Sequence, residues 1–330
     1  MALGDLVIEQ GEPVRGLELA YHAGGALPRE GNVVVVLHAL TGTSHVGTDW
    51  WREVVGPGCA IDTREYHVVS PVLPGSCYGT SWSSPAPDAP PALTTRDLAA
   101  AVWLLLDQLG VDTPALVTGG SLGGMVALEV SATRPEAVHR TVAFAAPAAH
   151  TAWAIGWHHV QREILEALGG DRGLALARAI ATLSFRSERE FNGRFDRTRR
   201  ETGRFSVQDY LDHQGRKLVA RFDPGAWRVL TAAMDAHDVG RDRGGASAAL
   251  RAIRGLVLGV GITGDVLYGE REIRAWTDDA GVSYTRLRST HGHDGFLLEQ
   301  RQVGRILRAA LELPVRSAQH DARDPAGWAA

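Results

Sequence analysis

Apolar runs and amphipathic stretches alternate along most of this chain. Continuous β-branched runs, of which residues 32–40 are the clearest, indicate strands that are covered on both faces. Stretches in which apolar residues recur every three or four positions indicate helices that pack one face on such a sheet. Because the two kinds of stretch alternate, the pattern predicts an α/β fold with a mostly parallel central sheet and helices on both faces. The predicted strands of this pattern are residues 32–40, 66–73, 115–118, 138–146, 255–260 and 282–287, and the predicted helices are residues 94–109, 125–130, 270–280 and 295–313.

The segment before this pattern and two loops within it are less regular. Residues 6–9 and 17–21 alternate between apolar and polar positions, which predicts a pair of strands joined by a turn at residues 11–16. Glycine, proline and serine are frequent at residues 41–58 and 74–93, so both stretches are predicted to be loops.

The pattern changes between residues 150 and 250. Helical spacing dominates there, arginine is frequent, and no strand is predicted. A helical insertion in an α/β core is the usual form of a lid over a ligand site. We therefore predict a core of residues 1–149 and 251–314, a helical lid at residues 150–250 and a frayed polar tail at residues 315–330. The predicted helices of the lid are residues 157–168, 173–183, 207–221 and 227–235.

Composition narrows the functional class. The chain has 330 residues, of which 45% are hydrophobic, so it can bury a large core. Its net charge of −4 includes no long block of like charge, which argues against binding to nucleic acid or to a membrane surface. No apolar stretch approaches the roughly 20 residues of a membrane span, and no signal peptide is recognisable. With only two cysteines, Cys59 and Cys77, the protein is expected to be cytoplasmic.

Candidate chemistry centres on a serine among four glycines. Residues 119–124 read Gly-Gly-Ser-Leu-Gly-Gly and lie between a predicted strand and a predicted helix. The spacing G-x-S-x-G in that context is typical of a nucleophile elbow, a sharp turn that exposes the serine hydroxyl beside a helix N-terminus. Ser121 is therefore the candidate nucleophile. The alternative is a glycine-rich turn whose serine takes no part in chemistry.

A serine nucleophile needs a base and a carboxylate that orients the base. In this class of fold the carboxylate follows the serine in the chain and the histidine comes last. Asp265 follows the predicted strand at residues 255–260, and His293 lies in the loop after the strand at residues 282–287. The sequence thus predicts a Ser121–His293–Asp265 triad at the C-terminal edge of the sheet. Taken singly, Asp265 would be interpreted as a turn residue and His293 as a surface histidine.

An acyl-transfer site also needs hydrogen-bond donors for the developing oxyanion. The predicted donors are the backbone N–H groups of Leu122, next to the nucleophile, and of Leu40, in the loop after an early strand. Gly42 permits the turn that holds Leu40. His38 precedes this turn and is predicted to pack or to form a hydrogen bond there rather than to take part in catalysis.

These motifs and the residues around them resemble the homoserine O-acetyltransferase family. Matches extend from about residue 7 to residue 313, nearly the whole chain. The residues that carry the resemblance are 38–46, Trp50, Trp51 and 56–63 in the first part of the chain, 119–125 at the elbow, 210–215, 221–223 and 235–241 in and after the lid, and 292–297 around the histidine.

The resemblance implies an α/β-hydrolase fold with a helical lid, usually in a homodimer, and a ping-pong acyl transfer. Acetyl-CoA would acetylate Ser121, and the hydroxyl of L-homoserine would then take the acetyl group, giving the O-acetyl-L-homoserine used in methionine biosynthesis. Acetyl-CoA is a co-substrate here, and neither a metal nor another cofactor is implied. By the family pattern Arg178 would bind the homoserine carboxylate and Asp294 its ammonium group, with Thr41 and Phe185 as further substrate contacts.

Three departures from the family pattern leave alternatives open. Leu122 stands where the family usually has Met, Phe185 stands where it often has Tyr, and residues 74–82 differ from the usual loop in a chain whose lid looks shortened. Succinyl-CoA as the acyl donor and serine as the acceptor therefore stay open. The further alternatives are a carboxylesterase with the same triad and a non-catalytic binding protein of this fold, against which the complete triad argues.

Two other groups of polar residues are interpreted structurally. His150, His158 and His159 have no cysteine or carboxylate at supporting spacing, so they are predicted to lie on the lid surface rather than to bind a metal. The arginine-rich residues 186–204 are predicted to form a solvated, mobile face of the lid, with the phosphates of CoA as a candidate ligand.

Overall fold

The computed structural model describes residues 1–83 and 91–314 of the chain. The strands are β1 (Ala2–Leu6), β2 (Val14–Glu18), β3 (Tyr21–Gly25), β4 (Val33–Leu37), β5 (Val55–Gly56), β6 (Ile61–Asp62), β7 (His67–Pro71), β8 (Ser81–Ser83), β9 (Leu116–Gly120), β10 (Arg140–Phe144), β11 (Leu256–Ile262) and β12 (Ser283–Leu287). The helices are α1 (Val46–Asp49), α2 (Thr95–Gln108), α3 (Leu122–Thr133), α4 (Ala152–Leu168), α5 (Gly170–Phe185), α6 (Glu188–Phe195), α7 (Ser206–Val219), α8 (Pro224–Asp235), α9 (Ala246–Ala252), α10 (Glu270–Ala280), α11 (Gly295–Leu298) and α12 (Gln300–Glu312).

Seven strands form the central sheet in the order β12-β11-β10-β9-β4-β7-β3. All neighbouring pairs are parallel except β3 and β7, which run antiparallel. The C-terminal ends of β4, β9 and β11 therefore share one edge, and the loops that follow them carry the predicted oxyanion turn, nucleophile and carboxylate. This agrees with the predicted mostly parallel sheet.

The sheet is covered on both faces, as its continuous apolar strands require. Alternate residues of β4 point to opposite faces: Val35 packs in a core cluster with Met125 of α3, and Val36 packs in a second cluster with Leu307 of α12. All five residues of β4 are buried. Helix α2 begins as predicted, since Thr94 and Asp97 form a reciprocal capping box.

The predictions for the N-terminal segment are partly wrong. The first strand is Ala2–Leu6 rather than residues 6–9, the second is Val14–Glu18 rather than 17–21, and Tyr21–Gly25 is a separate strand at the edge of the large sheet. Irregular pairing between β1 and β2 shifts the register twice and breaks the alternation on which the prediction relied.

The predicted loops also contain short elements. The stretch 41–58 holds α1 and β5, and the stretch 74–93 holds β8, which pairs with β2. Residues 84–90 of the second loop and the predicted tail at residues 315–330 lie outside the described residues.

Six helices, α4 to α9, lie between β10 and β11, in the region that the sequence assigned to a lid. Helix α6 was not predicted, and α9 runs across the predicted lid boundary at residue 250. Helix α5 packs on both α4 and α7, and it also contacts the turn at Gly292–Asp294. The lid helices therefore reach the predicted catalytic histidine directly. None of the helices in the described parts of the chain is both long and apolar enough to cross a membrane.

Candidate active site

Ser121 lies at the turn between β9 and α3, with a φ angle of +56° that non-glycine residues rarely adopt. Its N–H donates to the carbonyl of Phe144 at 2.9 Å, which ties the turn to the neighbouring strand. The flanking glycines are required by close packing. A Cβ on Gly119 would lie 2.6 Å from the carbonyl oxygen of Leu37, and Gly123 approaches the same carbonyl. The chain thus has the local geometry of a nucleophile elbow.

Asp265 and His293 lie side by side. The Nδ1 of His293 is 2.7 Å from Oδ2 of Asp265, and both side chains are buried. The other carboxylate oxygen of Asp265 accepts the backbone N–H groups of Leu267 and Tyr268 at 2.9 Å, so the carboxylate is fixed at both oxygens. Nδ1–H is therefore the donor to Asp265, and the proton-accepting nitrogen is Nε2, which has no hydrogen-bond partner within the described residues.

Two opposing effects act on the pKa of His293. Burial alone would lower the pKa of its imidazole, but the charge and hydrogen bond of Asp265 outweigh burial and raise that pKa above its usual value. A base whose pKa is raised in this way accepts a proton more strongly, as a serine hydroxyl requires.

Three aromatic rings hold the imidazole of His293. The centroids of Tyr268, Phe185 and Phe296 lie 5.2, 5.6 and 5.7 Å from that of His293. Phe296 also fills the space beside the elbow, since a Cβ on Gly120 would overlap its ring. Because Phe296 touches both parts, it fixes the histidine loop against the residue that precedes Ser121.

The two predicted oxyanion donors lie at the ends of neighbouring strands. Leu122 is the first residue of α3, so its N–H belongs to the helix turn that has no intrahelical acceptor. Leu40 lies inside a tight turn that the N–H of Gly42 closes on the carbonyl of Ala39 at 2.8 Å.

His38 is the buried support of that turn. Its Nδ1–H donates to the carbonyl of Ala39 at 2.8 Å, and its Nε2 accepts the N–H of Leu73 at 2.9 Å. Burial lowers the pKa of His38 to about 4, so the ring is neutral, as these two bonds require. The predicted hydrogen-bonding role of His38 is confirmed.

Of the predicted amino-acid ligands, Asp294 directly follows His293 in the chain, and Arg178 lies on α5, which contacts the turn that carries both residues. The guanidinium of Arg178 lies 5.4 Å from the centroid of Phe185, the ring that packs on His293. The side chain of Arg178 forms no ion pair within the described parts of the chain. Burial lowers the pKa of Arg178, and the charge of Asp294 offsets this only in part. Arg178 is thus a cation without a fixed counterion.

Asp294, by contrast, already has a partner. Its Oδ2 is 2.9 Å from Nε of Arg186, and both side chains are largely buried. Arg186 is the first residue of the stretch predicted to be a solvated face, and for this residue the prediction is wrong. Its role was missed because an arginine-rich sequence gives no sign of which guanidinium turns inward.

Thr41 contacts the lid through another arginine that sequence reasoning missed. Arg221 donates to the carbonyl oxygen of Thr41 at 2.7 Å and to the hydroxyl of Tyr78 at 2.5 Å. This interaction joins the oxyanion turn, the loop at residues 74–82 and the end of α7.

The interpretation of the lid histidines needs correction. His159 is exposed as predicted, but His150 and His158 are buried. Their Nδ1 atoms lie 3.2 and 2.9 Å from one carboxylate oxygen of Asp235 on α8, a residue far away in sequence. Arg162 pairs with the other oxygen of Asp235. The hydroxyl of Tyr268 lies 2.8 Å from Nε2 of His150, so this network supports a ring that packs on His293.

Comparison with known proteins first establishes the class of fold. A family model described as alpha/beta hydrolase fold matches residues 32–231. The crystal structure of esterase E22 has a TM-score of 0.85 over 94% of this chain and 98% of its own, at 18% identity, a likeness of fold alone. The protein is an enzyme of the α/β-hydrolase fold, as the sequence predicted.

More similar relatives then give the family. The chain is 40% identical to the homoserine O-acetyltransferase of Thermobifida fusca, over 93% of this chain and 91% of that protein. The crystal structure of homoserine O-acetyltransferase from Staphylococcus aureus matches with a TM-score of 0.82 and 30% identity, over 98% of this chain and 96% of its own. The chain belongs to the homoserine O-acetyltransferase family, and it is an acyltransferase.

Proposed function

We propose that this protein transfers the acetyl group of acetyl-CoA to the hydroxyl of L-homoserine, with Ser121 as the covalent carrier. The observation that carries the proposal is a pair of opposite charges around the turn that holds His293. Arg178, on the helix that contacts this turn, has no fixed counterion, and Asp294, in the turn, is held by Arg186. An amino acid presents one carboxylate and one ammonium group, so a fixed cation and a fixed anion next to the base suit it. A simple ester substrate needs neither.

In the first half-reaction, Nε2 of His293 takes the proton of Ser121 Oγ while Nδ1–H stays bonded to Asp265. Oγ attacks the thioester carbon of acetyl-CoA, and the N–H groups of Leu122 and Leu40 donate to the resulting oxyanion. The C–S bond then breaks. His293 gives its proton to the departing thiolate, which leaves acetyl-Ser121 and free CoA.

The second half-reaction uses the same groups in reverse. Arg178 binds the carboxylate of homoserine and Asp294 its ammonium group, which brings the hydroxyl to His293. Nε2 takes the hydroxyl proton, and the oxygen attacks the acetyl carbon of acetyl-Ser121. The bond to Oγ breaks, Ser121 recovers the proton from His293, and O-acetyl-L-homoserine leaves. These steps need no metal and no cofactor beyond the co-substrate.

The test measures both products. Purified protein is given acetyl-CoA or succinyl-CoA, each with and without L-homoserine or L-serine. Free CoA is followed with a thiol reagent, and the acylated amino acid is identified by mass spectrometry. We expect sustained CoA release only with homoserine, and faster release from acetyl-CoA than from succinyl-CoA.

Each of the other outcomes would support a different substrate or function. Preference for succinyl-CoA or serine would keep the mechanism and change the substrate. Steady CoA release without an amino acid would indicate a hydrolase, and the absence of any release would indicate a binding protein.

We propose further that the enzyme works as a homodimer formed through α4 and α5. Of eleven large apolar side chains that the described residues expose, six lie on these two helices, including Trp153 at 58% and Leu183 at 45%. An apolar face of this kind on a lid favours burial against a second copy. Light scattering should give twice the mass of the 35.4 kDa chain. Leu183→Glu should give a monomer. Leu27→Glu, at an exposed position outside the two helices, should leave the dimer intact. A monomeric parent protein would contradict this proposal.

A further inference from the structure

The segment Arg186–Glu190 of the lid clamps the loop that carries His293. The hydroxyl of Ser187 donates to the carbonyl oxygen of Thr290, and Oε2 of Glu190 lies 3.3 Å from Nδ1 of His291. Gly292, with φ at +68°, packs so closely that a Cβ would lie 2.7 Å from the backbone nitrogen of Ser187. The clamp is therefore a backbone contact supported by polar side chains on both sides.

Arg186 is the part of this clamp that reaches the predicted substrate site. Its Nε lies 2.9 Å from Oδ2 of Asp294, and its Nη1 lies 3.0 and 3.1 Å from the two carboxylate oxygens of Glu190. The guanidinium thus bridges two carboxylates while only 16% of its side chain is exposed. Glu190 holds Arg186 in place from α6, and Arg186 in turn holds Asp294.

Without Arg186, another cation is available to Asp294. Arg178 lies on α5, which contacts the turn at Gly292–Asp294, and its guanidinium is 5.4 Å from the centroid of Phe185, the ring that packs on His293. Among the described residues Arg178 has no ion pair of its own, and the charge of Asp294 partly offsets the effect of burial on its pKa. A carboxylate and a guanidinium in a partly buried site attract one another strongly. Their direct pairing would occupy both groups that are meant for an incoming amino acid.

We propose that Arg186 is a positioning residue that holds Asp294 away from Arg178, so that both charges stay available to the acceptor amino acid. This inference rests on the proposed function for the identity of the acceptor, but the predicted pairing of Asp294 with Arg178 does not. Arg186 takes Oδ2 of Asp294 and leaves Oδ1 for the ammonium group. It acts in the second half-reaction alone, since CoA and the thioester carry no ammonium group.

The main test compares Arg186→Met with Arg194→Met. Arg194 is a matched control because it also approaches Glu190, at 3.8 Å, but is exposed and does not contact Asp294. In Arg186→Met we expect the KM for homoserine to rise about 10- to 100-fold, the range for losing a hydrogen bond to a charged group. The burst of CoA that reports acetylation of Ser121 should stay within about twofold of the parent rate. Arg194→Met should leave the KM for homoserine unchanged.

Two further variants distinguish a positioning role of Arg186 from a general disruption of the structure. In an Asp294→Asn background, Arg186→Met should have little additional effect, because Arg186 acts through that carboxylate. Arg186→Lys keeps the charge and should restore part of the homoserine affinity. An equal loss of both half-reactions, or effects of the two substitutions that simply add, would contradict the inference.

A crystal structure of the variant tests the inference independently of the identity of the acceptor. The crystal structure of Arg186→Met should show an ion pair between Asp294 and Arg178, whichever amino acid the enzyme accepts. Asp294 remaining in its parent position would overturn the inference. If the parent enzyme fails to use homoserine while the variant shows the new ion pair, the proposed substrate is wrong and the inference stands.

Discussion

Replacing Arg178 with Met tests the predicted carboxylate site most directly. The change removes the guanidinium but keeps much of the apolar stem that packs beside Phe185. A guanidinium that binds a carboxylate through two charge-assisted hydrogen bonds in a partly dry site contributes about 3 kcal/mol, or ~150-fold in kcat/KM for homoserine. Acetylation of Ser121 by acetyl-CoA should keep its rate, because the thioester has no carboxylate to bind.

The structure also predicts how this variant affects stability. The charge of Arg178 is only partly exposed and has no fixed counterion, which costs folding free energy, so its removal should leave the free energy of unfolding unchanged or raise it. An arginine kept for structural reasons would behave in the opposite way. Activity and stability should therefore move independently in Arg178→Met.

The assay combines steady-state kinetics in homoserine, the CoA burst with acetyl-CoA alone, and urea denaturation. Arg172→Met on the same helix α5 is the control, since Arg172 is exposed. A loss of stability that accompanies the loss of activity would refute the reasoning, as would an equal fall in the CoA burst.

Three further predictions concern the other groups of the site. Ser121→Ala should abolish the CoA burst and leave the circular dichroism spectrum unchanged; activity above background would exclude Ser121 as the nucleophile. Because Asp265 raises the pKa of His293, kcat/KM should fall at acid pH as the imidazole is protonated. In Asp265→Asn the pKa of His293 should be lower, so the acid limb of the residual activity should shift to lower pH. An acid limb that stays in place or moves to higher pH would contradict this effect of Asp265 on His293. His38→Ala leaves the buried N–H of Leu73 without its acceptor and should cost about 3 kcal/mol in urea denaturation, so a variant as stable as the parent would refute the supporting role.

The sheet and the chain order of the candidate triad could be predicted because they depend on local patterns. A five-residue strand such as β4, with every side chain buried, must read as a continuous apolar run. The nucleophile elbow could be recognised in the sequence because glycine is the only residue that fits against the carbonyl of Leu37. Asp265 and His293 could be named because each follows a strand whose C-terminal end lies on one edge of the sheet.

The contacts of the lid could not be predicted, because they join residues that the sequence does not relate. Asp235 meets His150 and His158 only after α4 and α8 pack together, so no spacing in the sequence could show it. Arg186 turns inward and Arg194 stays exposed, although both lie in the same arginine-rich stretch. Arg194 lies on α6, whereas Arg186 lies between α5 and α6, so helical periodicity does not relate them and tertiary packing decides which is covered.

This difference in predictability bears on the reaction. Esterase E22 has nearly the same fold, so the arrangement of strands does not decide between hydrolysis and acyl transfer. What distinguishes transfer is an acceptor that reaches the acyl-enzyme before water does, and that depends on groups that bind the acceptor beside the base. In the proposed mechanism these groups are Arg178, on lid helix α5, and Asp294, which the lid contacts through Arg186. Substitution of Arg178 or Arg186 should therefore alter the second half-reaction, whereas substitution of Ser121 should abolish both.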